Sequence, residues 1–267
     1  MRSKSFLINA AQDFVLSMRT HQEAVHFISR HKLWRGLLAY GWVSKLILAM
    51  GLVAGWKLYS IFSSWWNSSS MNSLGMAVQD IGRLIQSVAL EGYAFFFVGG
   101  YKYLILVVME ILLFHVCRRT LEIKTGQKQD LAFATFVQAE IRMIKAAIFA
   151  FVMESLGTLL LGIFLPMLGM EFWQPILIIL LQCYFLGFVV LDNYSEIYGL
   201  DIQQSERVTR AFFGVAMAIG LVTYVLLLMP ILGAILAPFI GAVTATLSMH
   251  ALHGEFQQFI PVQEEVI

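Results

Sequence analysis

Four ionisable residues, Lys45, Lys102, Glu110 and Glu154, stand inside stretches long and apolar enough for a lipid bilayer. A charge at the centre of a membrane helix costs about 2.5 to 3.5 kcal/mol on insertion scales, so each needs a partner, a wet cavity or a route to the interface. Counted at about 1.5 Å per residue from the expected cytoplasmic boundary, Lys45 and Glu110 reach compatible depths and can pair. Such a pair either fixes helix register or lines a permeation path, and spacing does not choose between the two. Glu154 has no obvious partner in the sequence. A second concentration of charge, Arg30-His31-Lys32-Leu33-Trp34-Arg35, directly precedes the first long apolar run. Basic clusters at that position obey the positive-inside rule and attract anionic lipid.

Other chemistry finds little support. The chain carries no G-x-x-x-x-G-K-[ST] phosphate loop, no G-x-G-x-x-G fingerprint, no H-E-x-x-H zinc helix and no G-x-S-x-G elbow. His250 and His253 share a helical face near Glu255 but lack a third placed ligand, and His21, His26 and His31, spaced by fives, do not align on one face. Neither a metal nor a cofactor is expected, and no enzymatic role. A net charge of +1 argues against nucleic acid as a partner, because that role needs a concentrated basic surface. Cys117 and Cys183 sit in or beside apolar helical runs and read as packing residues.

The elements that must position these residues are helices in lipid. Charged residues make up 13% of the 267 positions, against about 25% in an ordinary soluble domain, and the mean hydropathy is +0.75. No cleavable signal peptide follows Arg2 and Lys4, so the first spanning helix is expected to direct insertion. Residues 5–29 place Phe14, Met18, Val25 and Ile28 at helical spacing, the pattern of a helix lying on a membrane surface. About 25 mostly apolar positions at 37–61 suffice to span a core of roughly 30 Å. They include the spacing Gly51-Leu52-Val53-Ala54-Gly55, which lets a neighbouring helix approach closely. Leu74, Val78, Ile81, Ile85 and Val88 predict a second surface helix, and a second span runs from about Tyr93 to Val116.

The carboxyl-terminal half reads as two hairpins. Apolar arms at 146–165 and 175–191 meet at Leu165-Pro166-Met167-Leu168-Gly169, and arms at 211–229 and 231–252 meet at Met229-Pro230-Ile231-Leu232-Gly233. These repeated tips either cross the membrane or stop inside it, where non-helical backbone must be covered by protein or line a cavity. The fold class is therefore an all-α integral membrane protein with two long transmembrane helices, two helical hairpins and amphipathic surface helices. It forms one membrane domain: 1–36 a cytoplasmic amphipathic segment, 37–116 two spans with an external helix, 117–145 a basic cytoplasmic segment, 146–252 the hairpins, and 253–267 a cytoplasmic tail.

Several strings resemble the CysZ-type sulfate permeases and the wider etoposide-induced protein family. They are Phe27-Ile28-Ser29-Arg30-His31-Lys32-Leu33-Trp34-Arg35 before a long helix, Arg142-Met143-Ile144-Lys145 before the first hairpin, the Leu-Pro-x-Leu-Gly tips, and Leu191-Asp192-Asn193-Tyr194 after it. The resemblance implies two full spans, two hemi-penetrating hairpins, both termini cytoplasmic, oligomeric assembly and a bacterial inner-membrane location. It also implies an anion site formed by a proline and paired basic residues before the first span. Here His31 stands at the proline position and Trp34-Arg35 at the basic pair, so Arg35 carries over directly, with Lys32 and Arg30 substituting in charge. The implied partners are a small inorganic anion such as sulfate, membrane lipid, and further copies or a larger membrane complex. The alternative is an accessory subunit that keeps the fold and transports nothing.

Loop charge sets the expected orientation. Six Lys/Arg precede the first span and six fall within 117–145, whereas 63–92 hold Arg83 alone. In a background lacking Cys117 and Cys183, a cysteine at Ser69 is expected to react with an impermeant thiol reagent in intact cells and one at Gln204 to remain unlabelled. Equal labelling would rule out a single orientation.

Overall fold

The computed structural model describes residues 6–34, 56, 59–60, 63–64, 86, 101–127, 133–229 and 232–260. Arg35, Lys45, the Gly51 to Gly55 spacing and nearly all of the expected external helix lie outside them. Among the described residues all regular structure is helical. In chain order the elements are α1 (Phe6–His31), α2 (Tyr101–Thr125), α3 (Phe133–Met167), α4 (Gln174–Ile197), α5 (Ile202–Ala211), α6 (Phe213–Leu227), α7 (Leu232–Ala251) and the short α8 (His253–Phe256). The protein is an all-α membrane protein: three helical segments, Ile144–Met167, Glu171–Ile197 and Leu232–Ala251, are long and apolar enough to cross a bilayer.

The helices extend beyond the limits that hydropathy alone suggests. The basic segment expected at 117–145 is largely helix, because α2 continues to Thr125 and α3 begins at Phe133. Charged residues at the end of a membrane helix reach water without breaking its hydrogen bonds, so loss of apolarity does not mark the helix end. The expected polar link at 192–210 is also mostly helix. α4 runs through Asp192 to Ile197, and α5 then starts at a complete capping box. The Asp201 carboxylate accepts from the Gln204 backbone N–H at 2.7 Å, and the Gln204 side chain accepts from the Asp201 N–H at 2.8 Å.

α3 and α4 form the first hairpin. Its turn satisfies the last carbonyls of α3: the Gly169 N–H donates to Pro166 and the Met170 N–H to Leu165, with Gly169 at φ +68°. Pro175 opens α4 where its missing N–H costs nothing. α6 and α7 form the second hairpin, and α6, at 15 residues, reaches only about 22 Å, short of a full hydrocarbon core. α5 and α6 meet at 96°, which lays α5 across the end of the hairpin.

The two hairpins touch backbone to backbone. A Cβ on Gly220 of α6 would lie 1.6 Å from the Cys183 carbonyl oxygen of α4, and one on Gly187 of α4 would lie 2.0 Å from the Ala216 carbonyl oxygen of α6. Cys183 and Gly187, like Ala216 and Gly220, are four apart, so each helix presents one small-residue stripe to the other. α7 packs on both α4 and α6, and α2 packs on α7, α4 and α3.

α1 keeps part of the apolar face read in its sequence turned outward, as a helix on a membrane surface does. Of the apolar residues that define its surface face, Ile28 is buried but Met18 and Val25 are 36% and 48% exposed. The buried face is instead small and polar, Asp13, Ser17, Thr20, His21 and Ala24, and it packs on α6 and α7. The hydroxyls of Ser17 and Ser248 meet at 3.2 Å, and the His21 Nδ1 lies 2.8 Å from the Ser17 carbonyl oxygen. Burial lowers the proton affinity of the His21 ring, and that backbone contact opposes the shift. Apolar groups next to lipid gain nothing by turning inward, so polar groups that can find protein partners take the interior.

Gly220→Val is expected to lower stability in detergent by about 1 to 3 kcal/mol or more, the cost of overpacking, and Gly187→Val likewise. Gly254→Ala, where a Cβ meets nothing within 4 Å, serves as the control in thermal unfolding.

Candidate functional site

The carboxyl end of α1 and the polar end of α2 enclose a basic cavity of about 310 Å³. α1 stops at His31 because Lys32 turns into the left-handed region at φ +50°, which costs a non-glycine residue about 1 kcal/mol or more. Leu33 is then buried and pins the turn against the core. Arg30, His31, Lys32 and Leu33 line one wall, and His115, Val116 and Arg119 of α2 line the other. His115 and Arg119 are one helical turn apart and so face the same space. Lys124 lies over the Phe27 ring at 5.8 Å, a second tie between α2 and α1.

Among the described residues two arginines, a lysine and two histidines line the cavity and no carboxylate does, so its field is positive. The nearest described counter-charge bound to a wall residue is Glu122, which accepts from Arg119 Nη1 at 3.1 Å and pairs with Arg118 Nε at 3.5 Å. The helix end itself contributes carbonyls and a negative partial charge, so any anion here must be held by side chains rather than by the α1 backbone. Guanidinium and ammonium groups converging on one space are the donor set that an oxyanion requires.

Glu154, left without a partner by sequence spacing, has two. Its Oε1 accepts from Lys102 Nζ at 2.5 Å and its Oε2 from the Tyr103 hydroxyl at 2.5 Å. Lys102 is wholly buried and Glu154 nearly so, in the middle of the apolar stretch of α3. Glu110 lies in α2, and its expected partner Lys45 is outside the described residues. Lys102 and Glu154 are thus matched to each other, and α2 is docked to α3 through them.

A second ion pair joins two of the strings singled out above. Arg142, just before the apolar part of α3, donates from Nη2 to Asp192 Oδ1 at 2.7 Å and reaches Glu196 with Nη1 at 3.7 Å. Asp192 and Glu196 are one turn apart at the end of α4, so a single guanidinium closes the open end of the first hairpin.

Comparison with known proteins decides the family. The model described as sulfate transporter CysZ/etoposide-induced protein 2.4 matches residues 21–238. The chain belongs to that family. No curated protein and no solved structure matches it. The matched region of the CysZ/etoposide-induced family contains both cavity walls, both ion pairs, the first hairpin and most of the second. Membership makes the chain a sulfate-transporter-like membrane protein.

Of the basic residues expected at the anion site, Arg30 and Lys32 line the cavity and Arg35 lies outside the described residues. His115 and Arg119 were not singled out in the sequence, where they straddle the expected end of the second span at Val116. Their four-residue spacing was the available signal.

Glu154→Gln leaves the Lys102 ammonium buried against a neutral amide and is expected to destabilise the protein by about 3 to 5 kcal/mol. The double substitution Lys102→Met with Glu154→Met should cost much less than the sum of the singles. Denaturant unfolding of the four proteins in micelles measures the difference. Additive losses would show that the two groups do not act as a pair.

Proposed function

We propose that the protein is a permease-like membrane protein for sulfate or another small anion, recruiting its anion at the basic cavity between α1 and α2. The observation that carries this reading is the convergence of Arg30, Lys32 and Arg119, with His31 and His115, on one space that has no carboxylate in its lining among the described residues. Family membership supplies the transporter class. A divalent oxyanion offers lone pairs in all directions and suits several donors from two helices better than a single ammonium. Arg35, two positions past Leu33, belongs to the same site in this reading. The protein sits in a bacterial inner membrane as a multi-pass protein with both termini cytoplasmic, which puts the cavity on the cytoplasmic side. Lys45, Lys102, Glu110 and Glu154 supply the polar groups at membrane depth. Homo-oligomers or a larger membrane complex are the proposed assembly.

One observation favours a second reading, an accessory subunit that transports nothing. Trp34 takes one of the two paired basic positions of the family's site, and Lys102 and Glu154 satisfy each other rather than lining a path.

Thermal-shift and calorimetric titration of the purified protein with sulfate, selenate, phosphate and chloride separates the two readings. Arg119→Ala and Lys32→Ala are each expected to weaken oxyanion binding by about 1.5 to 3 kcal/mol, the usual worth of a hydrogen bond to a charged group, and Arg35→Ala by a similar amount. Arg207→Ala, remote from the cavity, should leave it unchanged. A folded wild type that no anion stabilises at millimolar concentrations would favour the accessory reading.

A further inference from the structure

Away from the basic cavity, a second depression of about 710 Å³ opens between the first hairpin and α6, with Phe6 of α1 at its edge against Phe213. Its floor follows the helix axes. Leu177, Leu181 and Tyr184 lie along one face of α4, and Phe213 and Met217 lie one turn apart on α6. Leu161 of α3 closes the end nearer the first hairpin's tip. Tyr184 and Phe213 stack at 5.6 Å and 26°, giving the groove a flat aromatic wall.

A single charged residue, Arg210, lines this groove, and it stands at one end. It occupies the last turn of α5, the amphipathic helix set at 96° to α6, and therefore lies at the level of the interface if α6 runs along the membrane normal. Arg210 Nε donates to Glu206 one turn earlier, which uses one of five guanidinium N–H groups, and the Arg210 and Glu206 side chains both lie beside the Tyr184 hydroxyl. The groove is thus apolar along its length, and at its mouth Arg210 is the half of the Arg210–Glu206 ion pair that lines it. That polarity matches one molecule type already present around the protein.

We propose that this groove binds one acyl chain of an anionic phospholipid, with the headgroup phosphate held by Arg210. The chain replaces loosely packed bilayer lipid by close contact with Leu177, Leu181 and Met217. The guanidinium meets a phosphate in the geometry that favours two parallel hydrogen bonds. The proposal is independent of the anion cavity and of transport.

The test uses the full-length protein in phosphatidylcholine vesicles doped with phosphatidylglycerol or phosphatidylcholine that carries a photoactivatable acyl chain. The phosphatidylglycerol probe is expected to label residues 177–184 and 213–217 about fivefold more than the choline probe, and more than it labels the outward face of α3 around Ile148 and Val152. Arg210→Gln should bring the two probes level, and Leu180→Trp, which fills the groove, should abolish the enrichment for both. If Arg210→Gln fails to fold, competition on the wild type decides: unlabelled phosphatidylglycerol displaces the probe and unlabelled phosphatidylcholine does not. Equal labelling by both headgroups, labelling no greater than on α3, or protection of the groove by a second copy that cross-links through Met217→Cys would each overturn the proposal.

Discussion

A carbonyl oxygen of Cys183 and the α-carbon of Gly220 come so close that no side chain fits between them, and the position of almost every other element follows from that contact. With α4 and α6 held backbone to backbone, α7 fills the angle between them and α2 lies across α7 and α4. α1 is then fixed by a second approach of the same kind, in which Gly214 of α6 faces the Ala10 carbonyl oxygen. In hydrocarbon the hydrophobic effect does not drive helices together, so close van der Waals packing of small residues must carry the association. The basic cavity inherits its geometry from this chain of contacts: α6 places α1, α7 places both α1 and α2, and the two cavity walls are the ends of α1 and α2.

Charges in the interior divide by task. Lys102 and Glu154 join α2 to α3 at membrane depth, with Tyr103 donating to the remaining carboxylate oxygen, so the carboxylate is shared between two donors. Arg142, Asp192 and Glu196 join the two arms of the first hairpin at its open end. In the first set one cation meets one carboxylate, and in the second one guanidinium serves two. The cavity differs: among the described residues no acid lines it, and Glu122 pairs with Arg119 from outside the lining.

Hydropathy made the helical class and the two hairpins legible, because twenty apolar residues in a row admit few other structures. It could not place helix ends, since α2, α3 and α4 carry charged residues past the apolar boundary without unwinding. It did not show which residues of α1 meet the protein, because that face is small and polar, Asp13, Ser17, Thr20 and His21, and has no hydropathy signal. The partner of Glu154 was also hidden: Lys102 lies 52 positions earlier, and no local periodicity connects residues on separate helices. Half of the cavity was visible as the cluster around Arg30. The other half was hidden because it straddles the expected end of the second span, with His115 inside that span and Arg119 in what looked like a polar connector.

The polar inner face of α1 has a consequence for biogenesis. Asp13, Ser17, Thr20 and His21 find cover on α6 and α7, and Phe213 leaves the ribosome roughly 10 to 40 s after His31 at synthesis rates of about 5 to 20 residues per second. Through that interval the polar face of α1 lacks the two helices it seats against and must wait at the water boundary. The cavity wall that α1 carries is fixed in place after the second hairpin has been made, so the assembled basic cavity cannot precede that hairpin.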